Sequence, residues 1–140
     1  MMKKTIWVLL VFWSACSRQS KMPAVHIRLV DSGKSVALTG IDPSIMGEIS
    51  RDTVQNVWEN LIPVFRMPAD TDMKDFQPVQ HGVYRVKDSV VVFTPDTAFV
   101  KGRTYFIRYY QFNGGLSAWD LVRKKKKLGR VAYIDLVFRK

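Results

Sequence analysis

The stretch from Gly82 to Phe112 constrains this chain most. It holds three runs rich in Val, Tyr, Phe and Thr: Gly-Val-Tyr-Arg-Val, Ser-Val-Val-Val-Phe-Thr-Pro and Thr-Tyr-Phe-Ile-Arg-Tyr-Tyr-Gln-Phe. Such residues suit a pleated, half-buried surface. Lys87-Asp88 is expected to close a tight hairpin between the first two runs. Pro95 and Gly102 bracket the next connection, and neither fits a central strand. In the third run Tyr105, Ile107 and Tyr109 fall on one face, and Phe106, Arg108 and Tyr110 on the other. Arg108 marks its face as the wetter one, because an unpaired buried guanidinium is costly. The expectation is an antiparallel β domain. The pattern names no reaction.

The rest of the chain follows the same grammar. At 140 residues it fits one domain, and 47% hydrophobic residues suffice for a core and exclude wholesale disorder. Val25, Ile27 and Leu29 alternate with His26 and Arg28 in a first strand. Asp31 to Lys34 is a turn, and Ser35 to Thr39 a second strand. Asp42-Pro43 then reads as the cap and first residue of a helix carrying Ile45, Met46 and Ile49. Val54, Val57, Trp58 and Leu61 keep helical spacing, so a short helical segment is expected around residues 43–60. Leu61 to Met67 reads as a strand interrupted by Pro63, hence an edge or a bulge. Residues 68–78 read as a polar loop. After Asn113-Gly114-Gly115 come a strand over 116–122, the cationic run Arg123 to Lys127, and a last strand. There Ala132, Ile134, Leu136 and Phe138 face in, and Tyr133 and Asp135 face out. Seven or eight short strands with frequent turns suggest a two-layer antiparallel β-sandwich over residues 24–140.

The first 23 residues differ in kind. Two lysines precede the apolar run Ile6 to Trp13, followed by Ser14-Ala15-Cys16 and a polar, basic stretch to Pro23. That is the layout of an export signal, and the apolar run falls short of the ~20 residues that span a bilayer as a helix. The single cysteine directly after Ser-Ala resembles a bacterial lipoprotein lipobox, with Trp13 standing where Leu, Val or Ile is usual. The resemblance implies cleavage after residue 15, lipid on Cys16 and a place in the bacterial cell envelope. Ser17 rather than Asp after the cysteine points, by the sorting analogy, to the outer membrane rather than the inner, and the polar, basic residues 16–23 read as a tether. The alternatives are an ordinary secretory signal with a chance cysteine, or a short membrane anchor. With one cysteine there is no intrachain disulfide and no multi-cysteine zinc site.

The runs Gly82-Val-Tyr-Arg-Val, Val90-Val-Val-Phe-Thr-Pro and Phe99-Val-Lys-Gly-Arg-Thr-Tyr resemble the end of bacterial immunoglobulin-like domains, with their Phe-Thr-Pro strand end and Gly-x-x-Tyr strand start. Upstream, Gly40-Ile41-Asp42, Trp58 and Leu61-Ile-Pro-Val-Phe extend a similarity to small exported bacterial proteins. This resemblance implies an immunoglobulin-like fold, no reaction and no cofactor.

Candidate chemistry is sparse. His26 and His81 could act as bases, yet neither has a partner nearby in sequence, and the surface is their simpler place. Asp70, Asp72 and Asp75 could seed a calcium site, but lack the Gly and terminal Glu of a calcium loop. Trp58, Trp119, Tyr109 and Tyr110 could stack on a sugar, although packing is the commoner fate of such rings. Arg123, Lys124, Lys125, Lys126 and Lys127, in a chain of net charge +10, could meet an anionic surface, or be a solvated hairpin tip. The run has no interleaved aromatics, so nucleic acid is not expected. No nucleophile or phosphate-loop motif occurs. The expected function is a lipid-anchored, non-catalytic envelope module meeting another envelope protein or an anionic surface. The alternative is a carbohydrate- or anionic-glycan-binding lipoprotein.

Overall fold

The computed structural model describes residues 24–50, 57–110 and 132–140. Among the described residues seven strands form two antiparallel sheets. They are β1 (His26–Val30), β2 (Ser35–Thr39), β3 (Val64–Arg66), β4 (Gly82–Lys87), β5 (Val90–Pro95), β6 (Thr104–Tyr110) and β7 (Tyr133–Arg139). One sheet runs β1-β2-β5-β4 and the other β3-β6-β7. That is the strand order of a constant-type immunoglobulin sandwich. The all-β, immunoglobulin-like sandwich expected from the sequence is the fold of the chain. The helical segment is present as α1 (Pro43–Ser50) and α2 (Val57–Leu61), between β2 and β3.

Period-2 patterning places the core. Val36 and Leu38 of β2, Val91 and Phe93 of β5, Val64 of β3 and Tyr105 and Ile107 of β6 are buried in one cluster with Ile62, Phe99 and Phe138. Val25, Ile27 and Leu29 pack against it from β1. In antibody domains a disulfide links the second and sixth strands over a Trp on the third. Here Ile107, two residues beyond Tyr105, is buried in one apolar cluster with Val36 and Leu38 of the other sheet, so apolar packing joins the sheets where that disulfide would stand. The Val100 N–H donates to the Tyr105 hydroxyl at 2.9 Å. This ties the connection before β6 to its first turn of strand, as a tyrosine corner does. Phe99, Tyr105 and Phe138 pack mutually, with centroid distances of 4.7 Å (Phe99–Tyr105), 5.2 Å (Phe99–Phe138) and 5.6 Å (Tyr105–Phe138).

Several local expectations change. The hairpin turn between β4 and β5 is Asp88-Ser89, one residue later than expected. Both residues have positive φ, 50° and 62°, as a two-residue type I′ loop requires. α1 starts at Pro43 as expected, with the Ser44 N–H donating to Asp42 at 2.8 Å. The strand expected over 61–67 shrinks to Val64–Arg66, because α2 runs to Leu61 and Pro63 intervenes. β3 is an edge strand, as Pro63 implied. In β7, Leu136 and Phe138 reach the core, while Ile134 remains 43% exposed and Ala132 precedes the strand, exposed. The strand expected over 116–122 lies outside the described residues.

Candidate functional site

The main correction concerns the outer face of β6. Phe106 is fully buried there and Arg108 is 8% exposed. The cause is the connection from β3 to β4. It was expected as a polar loop, but it forms a 3₁₀ strap, Thr71–Phe76, capped by the Asp70 side chain accepting from the Asp72 N–H at 3.0 Å. The strap crosses the outer face of the β3-β6-β7 sheet, and the chain then returns beside β3 through a Phe65–Val79 bridge.

Polar groups hold the strap down. Arg108 donates through Nε to Asp135 Oδ1 at 2.9 Å and through Nη2 to Asp135 Oδ2 at 3.1 Å. Its Nη2 also lies 2.9 Å from Asp75 Oδ1 on the strap. Lys74 of the strap places Nζ 2.7 Å from Asp135 Oδ2 and 4.6 Å from the centre of the Phe106 ring. The guanidinium carbon stands 4.0 Å from the Tyr133 ring centre. Two cations therefore meet two carboxylates over an aromatic floor of Phe65 and Phe106, whose rings stack at 5.0 Å. Hydrogen bonds from Arg108 to Asp135 and then to Asp75 outweigh burial and push the guanidinium up from its ordinary range. Burial pushes the Asp135 carboxyl up, but bonds from Arg108 and Lys74 prevail and hold it below the usual carboxylate range. Each of the four charged groups finds its partner within the set, so it serves as a clamp.

The strap is amphipathic in reverse. In a 3₁₀ helix residues i and i+3 eclipse one another, so Met73 and Phe76 share one side. They are 48% and 76% exposed, while Lys74 turns to the sheet and Asp75, its own side chain 63% exposed, reaches Arg108 from the rim. A cation therefore lies under the strap while its apolar pair faces water. This is the clearest exposed apolar feature of the loops, and single-sequence reading missed it. The available signal was an apolar pair three residues apart within a run of acids.

The remaining candidates disperse. Asp70 caps the strap and Asp75 pairs with Arg108, and among the described residues no group of His, Cys, Asp or Glu is placed to hold a metal. His26 is exposed. His81 does have a partner: its Nδ1 lies 3.0 Å from Glu59 Oε1, across a sequence distance no local pattern reveals. Beside Glu59, the Tyr84 hydroxyl donates to the Ile62 carbonyl at 3.1 Å, and burial first, then Glu59, pushes its phenol up. Trp58 packs against both core clusters and Tyr109 against the larger one, so neither forms a platform. Tyr110 meets Tyr133 edge-on at 6.0 Å, and Tyr133 is exposed. Trp119, the cationic residues Arg123 to Lys127 and Cys16 lie outside the described residues. Among the described residues no helix is long and apolar enough to cross a membrane. In comparison with known proteins, the chain matches no family model, no curated protein and no solved structure.

Proposed function

We propose that this chain is a lipid-anchored bacterial envelope protein whose immunoglobulin-like sandwich is a non-catalytic binding module. The observation that carries the reading is the strap. A strap pinned to the sheet through Lys74 and Asp75 that leaves Met73 and Phe76 in water keeps an apolar contact ready for a partner protein. The basic n-region, the apolar run and Cys16 after Ser14-Ala15 support anchoring, and several buried acyl chains at about 0.8 kcal/mol per CH₂ hold firmly. The resemblance to bacterial immunoglobulin-like domains supports a binding or structural role without a reaction, and Ser17 rather than Asp after Cys16 supports the outer membrane.

The test uses a photo-crosslinking residue at position 76 of the full chain in its own cell envelope. One discrete adduct is expected there, and none from the same residue at Val100, which is also half exposed but lies on another connection. Cys16→Ser should move the protein out of the membrane fraction. Adducts of equal pattern at both positions, or unchanged fractionation, would defeat the reading.

A second reading rests on connectivity. The chain between β6 and β7 follows Tyr110 and precedes Tyr133, the edge-on tyrosine pair at one end of the sheet. Trp119 and Arg123 to Lys127 belong to that insertion. Aromatics and cations joined to one end of a sheet suit an anionic glycan or lipid headgroup.

A further inference from the structure

The sandwich has four sheet edges, β1, β4, β3 and β7. Exposed edges invite pairing with another chain, and proteins block them with charge, proline or cover. β3 is covered: Val79 bridges Phe65, and the Gln80 N–H donates to the Val64 carbonyl at 2.7 Å. β4 carries Arg85 and Lys87, and β1 carries Arg28 and no acid, so two copies of either edge would bring cations together. β7 differs. It reads Tyr-Ile-Asp-Leu-Val-Phe-Arg, has no proline, and carries charges of both signs.

The hydrogen-bond parity fixes which groups β7 offers. The Arg108 N–H bonds the Pro63 carbonyl and the Met67 N–H bonds the Thr104 carbonyl, so even-numbered residues of β6 face β3. Odd-numbered residues of β6 therefore bond β7, at Ile134, Leu136 and Phe138. The N–H and C=O of Tyr133, Asp135, Val137 and Arg139 point to the other side, where no strand pairs among the described residues. Val137 is 53% exposed and Tyr133 45%.

We infer that β7 is a self-association edge, pairing antiparallel with β7 of a second copy about a two-fold axis at Val137. In that register Val137 faces its own copy, and Asp135 on each chain faces Arg139 on the other. The like-charged pairing about Asp135 is thereby avoided. Asp135 can take the extra donor. Its two oxygens accept three bonds, from Arg108 Nε, Arg108 Nη2 and Lys74, of roughly four that a carboxylate offers. The result is one continuous sheet, β3-β6-β7 joined to its copy, isologous and closed. This interface lies at the sheet edge and goes beyond the partner contact proposed for the strap.

The experiment is sedimentation velocity of the full chain in detergent micelles over a concentration series. The wild type is expected to dimerise at high micromolar concentration. Val137→Pro should leave a folded monomer, because the N–H it removes faces the open edge and not β6. Arg139→Glu, at an exposed site, places like charges opposite one another and should raise the dimer dissociation constant about tenfold without touching the core. It also decides the matter should the proline variant fail to fold. A wild type that stays monomeric, or a dimer indifferent to Arg139→Glu, overturns the proposal.

Discussion

Arg108 and Asp135 stand directly opposite one another on β6 and β7, joined by two hydrogen bonds of 2.9 and 3.1 Å. Cross-strand pairs are the unit of sheet stabilisation, and a bidentate Arg–carboxylate pair is the strongest polar kind. This one also anchors the strap, since Asp75 and Lys74 reach the same two residues.

Removing one partner should therefore cost more than removing both. Arg108→Met leaves Asp135 beside Asp75 with only Lys74 to balance them, and should destabilise by about 2–3 kcal/mol. Replacing Arg108 and Asp135 together by Leu should fall within about 1 kcal/mol of wild type. Urea unfolding of all three chains checks this. A double variant as unstable as the single one would show that the pair is worth more than the burial it occupies.

The clamp should also yield to acid. The folded-state carboxyl of Asp135 titrates below its ordinary value near 3.9, so it contributes stability fully above that value. The contribution fades as pH falls through the lower folded value. Between pH 6 and pH 3 the wild-type urea midpoint should drop more than that of Asp135→Asn. Parallel profiles would show that Asp135 is not held in its ionised form.

The sandwich was legible because its signal is local. Alternation in 25–29 and 104–110 marked strands and their core faces, the β-rich run 90–95 marked a strand, and Asp42-Pro43 marked a helix start. Pro63 gave an edge strand. The clamp was not legible, because its members sit at 74, 75, 108 and 135 and meet only once β6 pairs with β7. Arg108 signalled a polar face, and local sequence cannot say that the same face carries its own carboxylates. The Glu59–His81 contact escaped for the same reason. The single-residue error at the β4–β5 hairpin reflects how little Lys87, Asp88 and Ser89 differ as turn residues.

That hairpin yields a stabilising substitution. Asp tolerates the left-handed region through its short polar side chain, but Ser89 at φ 62° is strained by roughly 1–2 kcal/mol. Ser89→Gly makes the Asp-Gly pair that a type I′ loop prefers, and the larger unfolded-state freedom of Gly offsets part of the gain. A net gain of about 1 kcal/mol should raise the thermal midpoint by several degrees. Ser89→Ala should give no such rise. A midpoint that falls with Gly would mean the turn is not of this type.

The cationic run tests the surface reading. Five like charges between two β segments repel one another and gain nothing from burial. Near an anionic membrane each Lys or Arg contributes on the order of 1 kcal/mol, and salt screens that attraction beyond about 8 Å at physiological strength. Changing Lys124 to Lys127 to Ser should leave the far-ultraviolet spectrum and thermal midpoint unaltered or slightly improved. It should weaken co-sedimentation of the unlipidated fragment, residues 17–140, with phosphatidylserine vesicles or acidic polysaccharide at low salt, and matter little at high salt. Replacing Phe76 with Ser should leave that binding untouched, because the strap's apolar pair and the cations serve different contacts. Equal vesicle binding by the wild type and the Lys-to-Ser variant at low salt would reduce the run to a solvated loop.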